Sequence, residues 1–570
     1  MNTVAGLAAS TARSLRPGPG PLAFGAATRA VAAAGAIAGF GVLSGDLRAV
    51  AVAYLGAACA VAFVGAGPYR IRAMGLAVQG LGATIGICVG ALGPTEPVGL
   101  VIVACVAGVV SGAVGVIGPS TPGFGMMLSI GVAFGQFGGS TLPWWQQAAW
   151  YVVGTVVVAI ATLAPWAFQG DAPEREAAAA VMDAAADLYA VIGTPAAREA
   201  RTRLAAASAD ARAAGPQPAA ELVAFAAATA YADGDPGPAD AVTAVHTAAS
   251  QLRAGRPVSV QYSAPADSPG LQALADALSP SPVRPAAWHT RGVGGAFRAA
   301  LSRTAGANAA RIGLCMGVAT AATVLLHEPA HSFWLPLTVA VIVRPEYASV
   351  FVRTVNRVCG TLVGATATGL MLAAHPPPGV IAIAAAMALG FAVLTAPKLY
   401  GLNVIGVTAS ALLSSSLAGV DLVAPGLRVL DTVIGAAVAV VFGYLLWPGA
   451  RRLPALARLD AAVAAAQSYL DEAVKAPDQR VRWQASRQDA YRLAHQARGA
   501  AQAAVSEPPP ISTMAIRVIP AAAELEDVVD AITAVASARD VGPLGDDRAA
   551  ALRERLATLV PSETSPPARG

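Results

Sequence analysis

The chain has 570 residues, 55% of them hydrophobic and only 13% charged, whereas soluble proteins average about 25% charged. Its formal net charge of +4 is carried mostly by scattered arginines, with no long basic block or aromatic-interleaved basic face, so nucleic-acid binding has no support. The composition is that of a polytopic membrane protein.

Residues 1–26 hold Arg13, Arg16 and the cluster Pro17–Pro21. They lack a compact apolar core followed by a cleavage site, and read as a cytoplasmic arm. A first membrane block covers 27–169, with about six spans of roughly 20 residues centred near Ile37, Leu55, Thr84, Ala107, Ile130 and Val156. Breaks fall at Gly45-Asp46, Pro68–Arg72, Pro94–Pro97, Pro119–Pro122 and Gly138–Gln147. Trp144 and Trp145, in the last of these, suit the interfacial aromatic belt.

From 170 to 306 the composition shifts to Ala, Arg, Asp, Glu and Pro, with helical patterns such as Pro173–Ile192 and Pro195–Ala214 parted by Gly215-Pro216 and Asp235–Pro238. No run there is apolar enough to cross a bilayer, so a water-facing helical domain is expected. A second membrane block covers 307–448, with about six further spans by the same length criterion, centred near Ala319, Val339, Ala367, Leu389, Thr408 and Val438. In the last stretch, 449–570, amphipathic patterns run from Pro454 to Ala476, Gln479 to Val505, Ser512 to Ala538 and Asp546 to Val560.

The two halves resemble each other: Gly82 and Gly86 sit in the third span as Gly360 and Gly364 do in the ninth, and the loops Pro119–Gly123 and Pro397–Gly401 keep the same offset. Halves with an even number of spans share one orientation. The expected fold is an all-α integral membrane protein with about 12 transmembrane helices in two parallel six-helix repeats, each followed by a cytoplasmic helical domain. By the positive-inside rule both termini and both polar regions are cytoplasmic, with Arg48 and Arg428 the basic exceptions on the outer side; the expected location is the inner (plasma) membrane. All five cysteines, Cys59, Cys88, Cys105, Cys315 and Cys359, lie in apolar runs without C-x-x-C, and read as buried small hydrophobes with no disulfide or metal site.

The densest run of distinctive residues is His331–Ala365, HSFWLPLTVAVIVRPEYASVFVRTVNRVCGTLVGA. An aromatic-proline helix opening on His, an Arg-rich hairpin and an R-x-x-G-T-L-x-G-A helix follow in order. Through His331, Trp334, Pro336, Thr338, Pro345, Arg353, Arg357, Gly360, Thr361, Gly364 and Ala365, this stretch resembles the fusaric acid resistance family of bacterial membrane proteins, which includes aromatic acid exporters. The resemblance implies export of aromatic or related small organic acids, with resistance to fusaric-acid-like compounds.

Several residues can carry that chemistry. Arg357 stands where the first half has Gln79, one turn before the glycine pair. It suits a bidentate grip on a carboxylate, or a guanidinium snorkelling to lipid phosphates. Asp431 lies in the last span where the first half has Trp150. A carboxylate shielded by apolar neighbours can load and release a proton; the alternative is an ion pair with Arg428, three residues earlier. His331 is the other titratable candidate for proton coupling, or an outer-end cap. Phe333 and Trp334 suit stacking on an aromatic ring, or interfacial anchoring. Arg344 and Arg353, with Glu346, suit anion gathering at the cytoplasmic mouth, or topology-setting charge. Pro336, inside its span, suits a broken transporter helix or a simple kink.

Lysine occurs only at Lys398 and Lys475, neither in a phosphate-binding loop, and no H-E-x-x-H, G-x-S-x-G or Cys/His metal spacing occurs. No ATPase, enzyme activity or cofactor is expected, and uphill movement then needs an ion gradient or a partner. The expected partners are a small organic acid, protons and the bilayer, with the polar regions open to a homo-oligomer or a protein partner. The leading reading is a proton-coupled exporter. A passive organic-anion channel, in keeping with a similarity to plant malate channels, and a non-transporting scaffold are the alternatives.

Overall fold

The structure, a computed structural model, describes residues 3–18, 20–64, 67–118, 120–138, 142–215, 217–265, 268–279, 293–326, 333–344, 350–447, 454–474, 480–538 and 546–559. Among the described residues every regular element is helical. After α1 (Thr3–Ser14), the first membrane-type set is α2 (Phe24–Ser44), α3 (Leu47–Phe63), α4 (Tyr69–Leu92), α5 (Pro97–Val114), α6 (Thr121–Phe137) and α7 (Trp144–Leu163), closed by the short α8 (Trp166–Gln169). A polar set follows: α9 (Ala172–Val191), α10 (Ala197–Ala214), α11 (Pro218–Asp233), α12 (Ala239–Arg253) and α13 (Pro269–Leu278), then α14 (Val293–Ala300). The second membrane-type set is α15 (Arg303–Leu326), α16 (Trp334–Ile342), α17 (Val350–Ala373), α18 (Pro378–Thr395), α19 (Tyr400–Ser415) and α20 (Ala424–Val440), which runs on into a π-helical turn, Val441–Leu445. Last come α21 (Pro454–Val474), α22 (Arg480–Ala504), α23 (Ile511–Ala538) and α24 (Asp546–Thr558).

All twelve expected span centres fall on helices, but among the described residues seven helices combine the length and apolarity needed to cross a bilayer. α3 has 17 residues and α19 has 16, about 25 Å at 1.5 Å per residue against a hydrocarbon core of about 30 Å. α17 is long but loses apolarity to Arg353, Asn356 and Arg357. The largest departure is α16. Expected as a full span around Val339, it has nine residues, about 14 Å. Pro336 accordingly neither kinks nor breaks it, because it occupies the first turn, where a missing N–H removes no intrahelical bond.

Small residues decide how these helices pack. A methyl group on Gly82 would lie 2.6 Å from Phe124 O of α6, and one on Gly360 2.6 Å from Gly401 O of α19. α4 against α6 and α17 against α19 thus touch backbone to backbone, the close approach that glycine permits. The packing partners recur between the sets. α4 packs on α6 and α7, α3 on α7 and α5 on α6, while α17 packs on α19 and α20, α16 on α20 and α18 on α19. Between the sets α5 lies along α15 and α2 along α18, and α16 meets α6 as α3 meets α19.

The outward faces are apolar, with Leu81, Ile85 and Val89 on α4, Ile102 and Val106 on α5, and Ile383 and Met387 on α18 all exposed. Cys359 belongs to such a face, beside the exposed Leu362 and Val363, contrary to the expectation that every cysteine is buried. Cys315 is buried, and the other three are half-buried. Exposed Trp144 and Trp145 lie at one end of α7 and exposed Trp166 just past the other. The 22-residue separation of Trp144 and Trp166 corresponds to about 33 Å of helix, matching a bilayer with an aromatic girdle on each side.

The polar helices follow their amphipathic patterns, and each set buries its own core, one around Met182, Leu204 and Leu274 and one around Leu459, Leu525 and Ile532. The two sets also join. Arg201 of α10 donates two hydrogen bonds of 2.6 Å to Asp530 of α23, both side chains being buried, and Tyr491 of α22 donates to the same carboxylate at 2.8 Å. The N-terminal helix is anchored by hydrogen bonds. Asn356 of α17 donates to Ser14 O and accepts from Gly401 N, each at 2.9 Å, and Ser10 donates to Glu507 O at 2.9 Å. Ser10 and Ser14 of α1 therefore tie the second membrane set to the last polar one.

Candidate functional site

The most unusual residues of the second membrane set meet between α16, α17 and α20. α20 opens after Asp421, whose carboxylate accepts from Val423 N and Ala424 N, and it buries a stripe containing Arg428, Asp431, Thr432 and Gly435. The glycine allows α16 to approach, since a methyl there would lie 3.0 Å from the Thr338 side chain. This contact sets Arg428 against the start of α16. Its Nη1 donates to Trp334 O at 3.3 Å, and its guanidinium stands over the Trp334 ring, 5.3 Å from the centroid.

Arg357, one turn before Gly360 on α17, is 4% exposed, Arg428 4% and Asp431 2%. Arg428 feels the charges of both Arg357 and Asp431, and the Tyr400 hydroxyl at the start of α19. Among the described residues the group therefore holds two buried guanidinia and one carboxylate. In a low-dielectric interior such an excess of positive charge costs heavily unless an anion accompanies it. Arg357 Nε has no hydrogen-bond partner among the described residues.

Of the residues singled out from the sequence, the structure brings Arg357, Asp431 and Trp334 to this cluster. Phe333 adjoins it, edge-on to Trp334 at 5.9 Å and to Phe134 of α6 at 5.4 Å. Both rings are buried, so neither is an interfacial anchor. Arg353 is buried one turn earlier on α17. Arg344 lies at the far end of α16, where it lines a cleft of about 420 Å³ between the two membrane sets, with Phe63, Ser111, Met126, Ser129 and Ile312. Gln79 is separate, in α4 of the first set. It is 1% exposed, and neither of its amide atoms has a hydrogen-bond partner among the described residues. His331 lies outside the described residues.

Sequence reasoning misplaced one arginine and missed another. Arg428 was assigned to the outer surface as an exception to the charge rule, yet it is buried and forms one side of the cluster. The alternative reading of Arg428 beside Asp431 pointed this way, since an arginine and an aspartate three apart inside an apolar span share a face. Arg311, in the apolar run of α15, is fully buried. It donates to Arg344 O and, at 3.4 Å, to Gly443 O, thereby tying α15 to the end of α16, which lines the cleft, and to the π-helical turn after α20.

Residues 301–442 match the model of the family described as fusaric acid resistance protein-like. The match includes Trp334, Arg357, Arg428 and Asp431. The chain is also similar to the Escherichia coli (strain K12) protein described as "Uncharacterized protein YhfK", 31% identical over 144 residues, which is 25% of this chain and 20% of that protein; the chain thus spans about a fifth of that relative's length. No solved structure matches. Together the apolar helices and the family match mark an integral membrane protein.

Proposed function

We propose that the chain is a proton-coupled secondary transporter that exports aromatic or related small organic acids and so confers resistance to fusaric-acid-like compounds. The observation that carries this reading is the buried cluster of Arg357, Arg428 and Asp431 beside the Trp334 ring. Its unbalanced positive charge attracts a carboxylate, and a guanidinium holds one through paired charge-assisted hydrogen bonds. The indole offers a face for an aromatic body, and Asp431 supplies a carboxylate that takes up a proton in one access state and releases it in the other. The cleft at Arg344 is the intake from the cytoplasmic side.

The proposed frame is twelve spans in two parallel six-helix repeats related by an axis along the membrane normal, with both termini and both polar regions cytoplasmic in the inner membrane. The recurrence of packing partners between the sets supports it, as does the matching position of the Gly82 and Gly360 contacts. Parallel repeats of this kind place substrate sites near the bilayer midplane on interrupted helices, which suits a site at the head of the short α16.

The test is transport by protein reconstituted in liposomes with an imposed pH gradient. Asp431→Asn fixes the neutral form, and is expected to abolish accumulation of benzoate against its gradient while leaving benzoate–benzoate exchange intact. Unchanged gradient-driven accumulation removes Asp431 from the mechanism. Conduction of benzoate independent of pH in the native protein turns the reading to a passive channel.

A further inference from the structure

The cleft of about 420 Å³ at Arg344 forms where helix ends from both membrane sets meet. Phe63 ends α3, Ser111 stands in the last turn of α5, Met126 lies near the start of α6, and Arg344 follows α16. Its volume falls within the range of about 300–1,000 Å³ usual for small-molecule sites. The walls are mainly apolar, and among the described residues no carboxylate lines them. Of the polar groups, Ser129 already donates to Gly125 O at 3.3 Å. Ser111 is 6% exposed, and its hydroxyl makes no hydrogen bond among the described residues. It faces Gly125, where a methyl group would lie 2.7 Å from its Oγ, so the missing side chain leaves the hydroxyl room. Arg344 has its carbonyl held by Arg311, while its Nε has no hydrogen-bond partner among the described residues. Two donors, one of them charged, therefore line an otherwise apolar enclosure.

This cleft and the buried cluster lie at opposite ends of one seam. α6 runs from Met126 at the cleft to Phe134, whose ring meets Phe333 beside the cluster. α16 runs the other way, from Trp334 toward Arg344. Between the two ends, Ile130 of α6 and Leu335 and Val339 of α16 are buried in one apolar core, and the seam is shut. The nine residues of α16 set its ends about 14 Å apart, farther than a one-ring acid reaches. An acid in the cleft therefore does not touch Arg357 or Arg428, and each end fills on its own until α6 and α16 part.

We propose that the cleft is a second binding site for the exported acid, in series with the cluster, with the carboxylate on the Arg344 guanidinium and the Ser111 hydroxyl and the apolar body against Phe63 and Met126. The choice of ligand rests on the reading of the chain as an organic-acid transporter, and adds to that reading a second acid bound at the same time. Charge-assisted hydrogen bonds from Arg344 hold the anion, and the Ser111 hydroxyl gives up no bond within the protein to join them. The cleft thereby selects an ionised acid over its neutral amide before the substrate reaches the cluster.

The experiment is equilibrium dialysis of radiolabelled benzoate against the full-length protein in detergent, each variant being taken from its monodisperse peak. Two benzoates per chain are expected for the native protein, one for Arg357→Gln, one for Arg344→Gln and none for the double variant. In the Arg357→Gln background, Ser111→Ala should weaken the remaining site about tenfold, because it removes a hydrogen bond to a charged group. Benzamide, the neutral isostere, should compete there about tenfold less well than unlabelled benzoate. Absence of saturable binding in Arg357→Gln, a remaining site indifferent to both Arg344→Gln and Ser111→Ala, or equal competition by acid and amide overturns the proposal. Benzoate held in the cleft of a protein that does not transport it in liposomes overturns the transporter reading and leaves the site; transport without binding in the cleft does the reverse.

Discussion

Arg357→Gln places in the second membrane set the residue that the first set carries at Gln79, and so removes one positive charge while keeping a buried polar side chain of similar reach. With a substrate carboxylate about 5 Å from the guanidinium and an effective dielectric constant of about 20, one unit charge contributes roughly 3 kcal/mol. That corresponds to about a 100-fold rise in the half-saturating concentration for export. Arg357→Lys keeps the charge but loses the planar fork, so an intermediate loss of about tenfold is expected. The assay is the concentration dependence of benzoate transport in liposomes at fixed ionic strength, with liposome incorporation measured for each variant. A merely structural arginine would lower the amount of folded protein and leave the half-saturating concentration alone. An unchanged value in Arg357→Gln refutes the anion site, and equal values for Gln and Lys variants refute the bidentate grip.

Other consequences are as direct. Gly364→Ile sets a branched side chain where even a methyl would lie 2.6 Å from Ile405 O, so α17 and α19 are forced apart; loss of the monodisperse peak in detergent is expected, whereas Gly379→Ala, which meets nothing within 4 Å, should elute as the native protein does. Asp530→Asn leaves the Arg201 guanidinium buried without its counter-charge and should cost about 3–5 kcal/mol, read as a lower melting transition of the polar helices. The pair Arg201→Met with Asp530→Leu should recover most of it. Burial tends to raise the Glu526 carboxyl, but the nearby His495, at 3.8 Å, and the hydrogen bond and charge of Arg498 outweigh it and hold the group below its usual 4.5. A depressed carboxyl stabilises the folded state above its unfolded value and ceases to do so as pH falls through the lowered one. Thermal stability should therefore drop on acidification below about pH 4.5, and less steeply in Arg498→Gln.

Much of the architecture was legible because its causes are local. A run of apolar residues is set by neighbours in sequence, so all twelve expected centres lie on helices. The amphipathic period of residues 454–560 is likewise local, and the pattern read as Ser512–Ala538 is the helix Ile511–Ala538. The Gly82/Gly86 and Gly360/Gly364 pairs announce close helix contacts because only a missing side chain permits them. Element lengths were less legible. α16 is a nine-residue helix beginning on Trp334, and hydropathy, which averages over a bilayer-length window, does not see where it starts.

What the sequence by itself determined is the class: a helical membrane protein with two polar helical regions and an arginine at the head of a glycine-lined helix. What only the tertiary structure decided is which charges are buried together. Arg428 reads as an outer-surface residue from its place near the end of a span, and becomes the partner of Arg357 and Trp334 because α16 and α20 close over it. The buried Arg201–Asp530 pair joins residues 329 positions apart. Burial and electrostatic environment are properties of the neighbours that other helices bring, and one chain segment does not specify those neighbours.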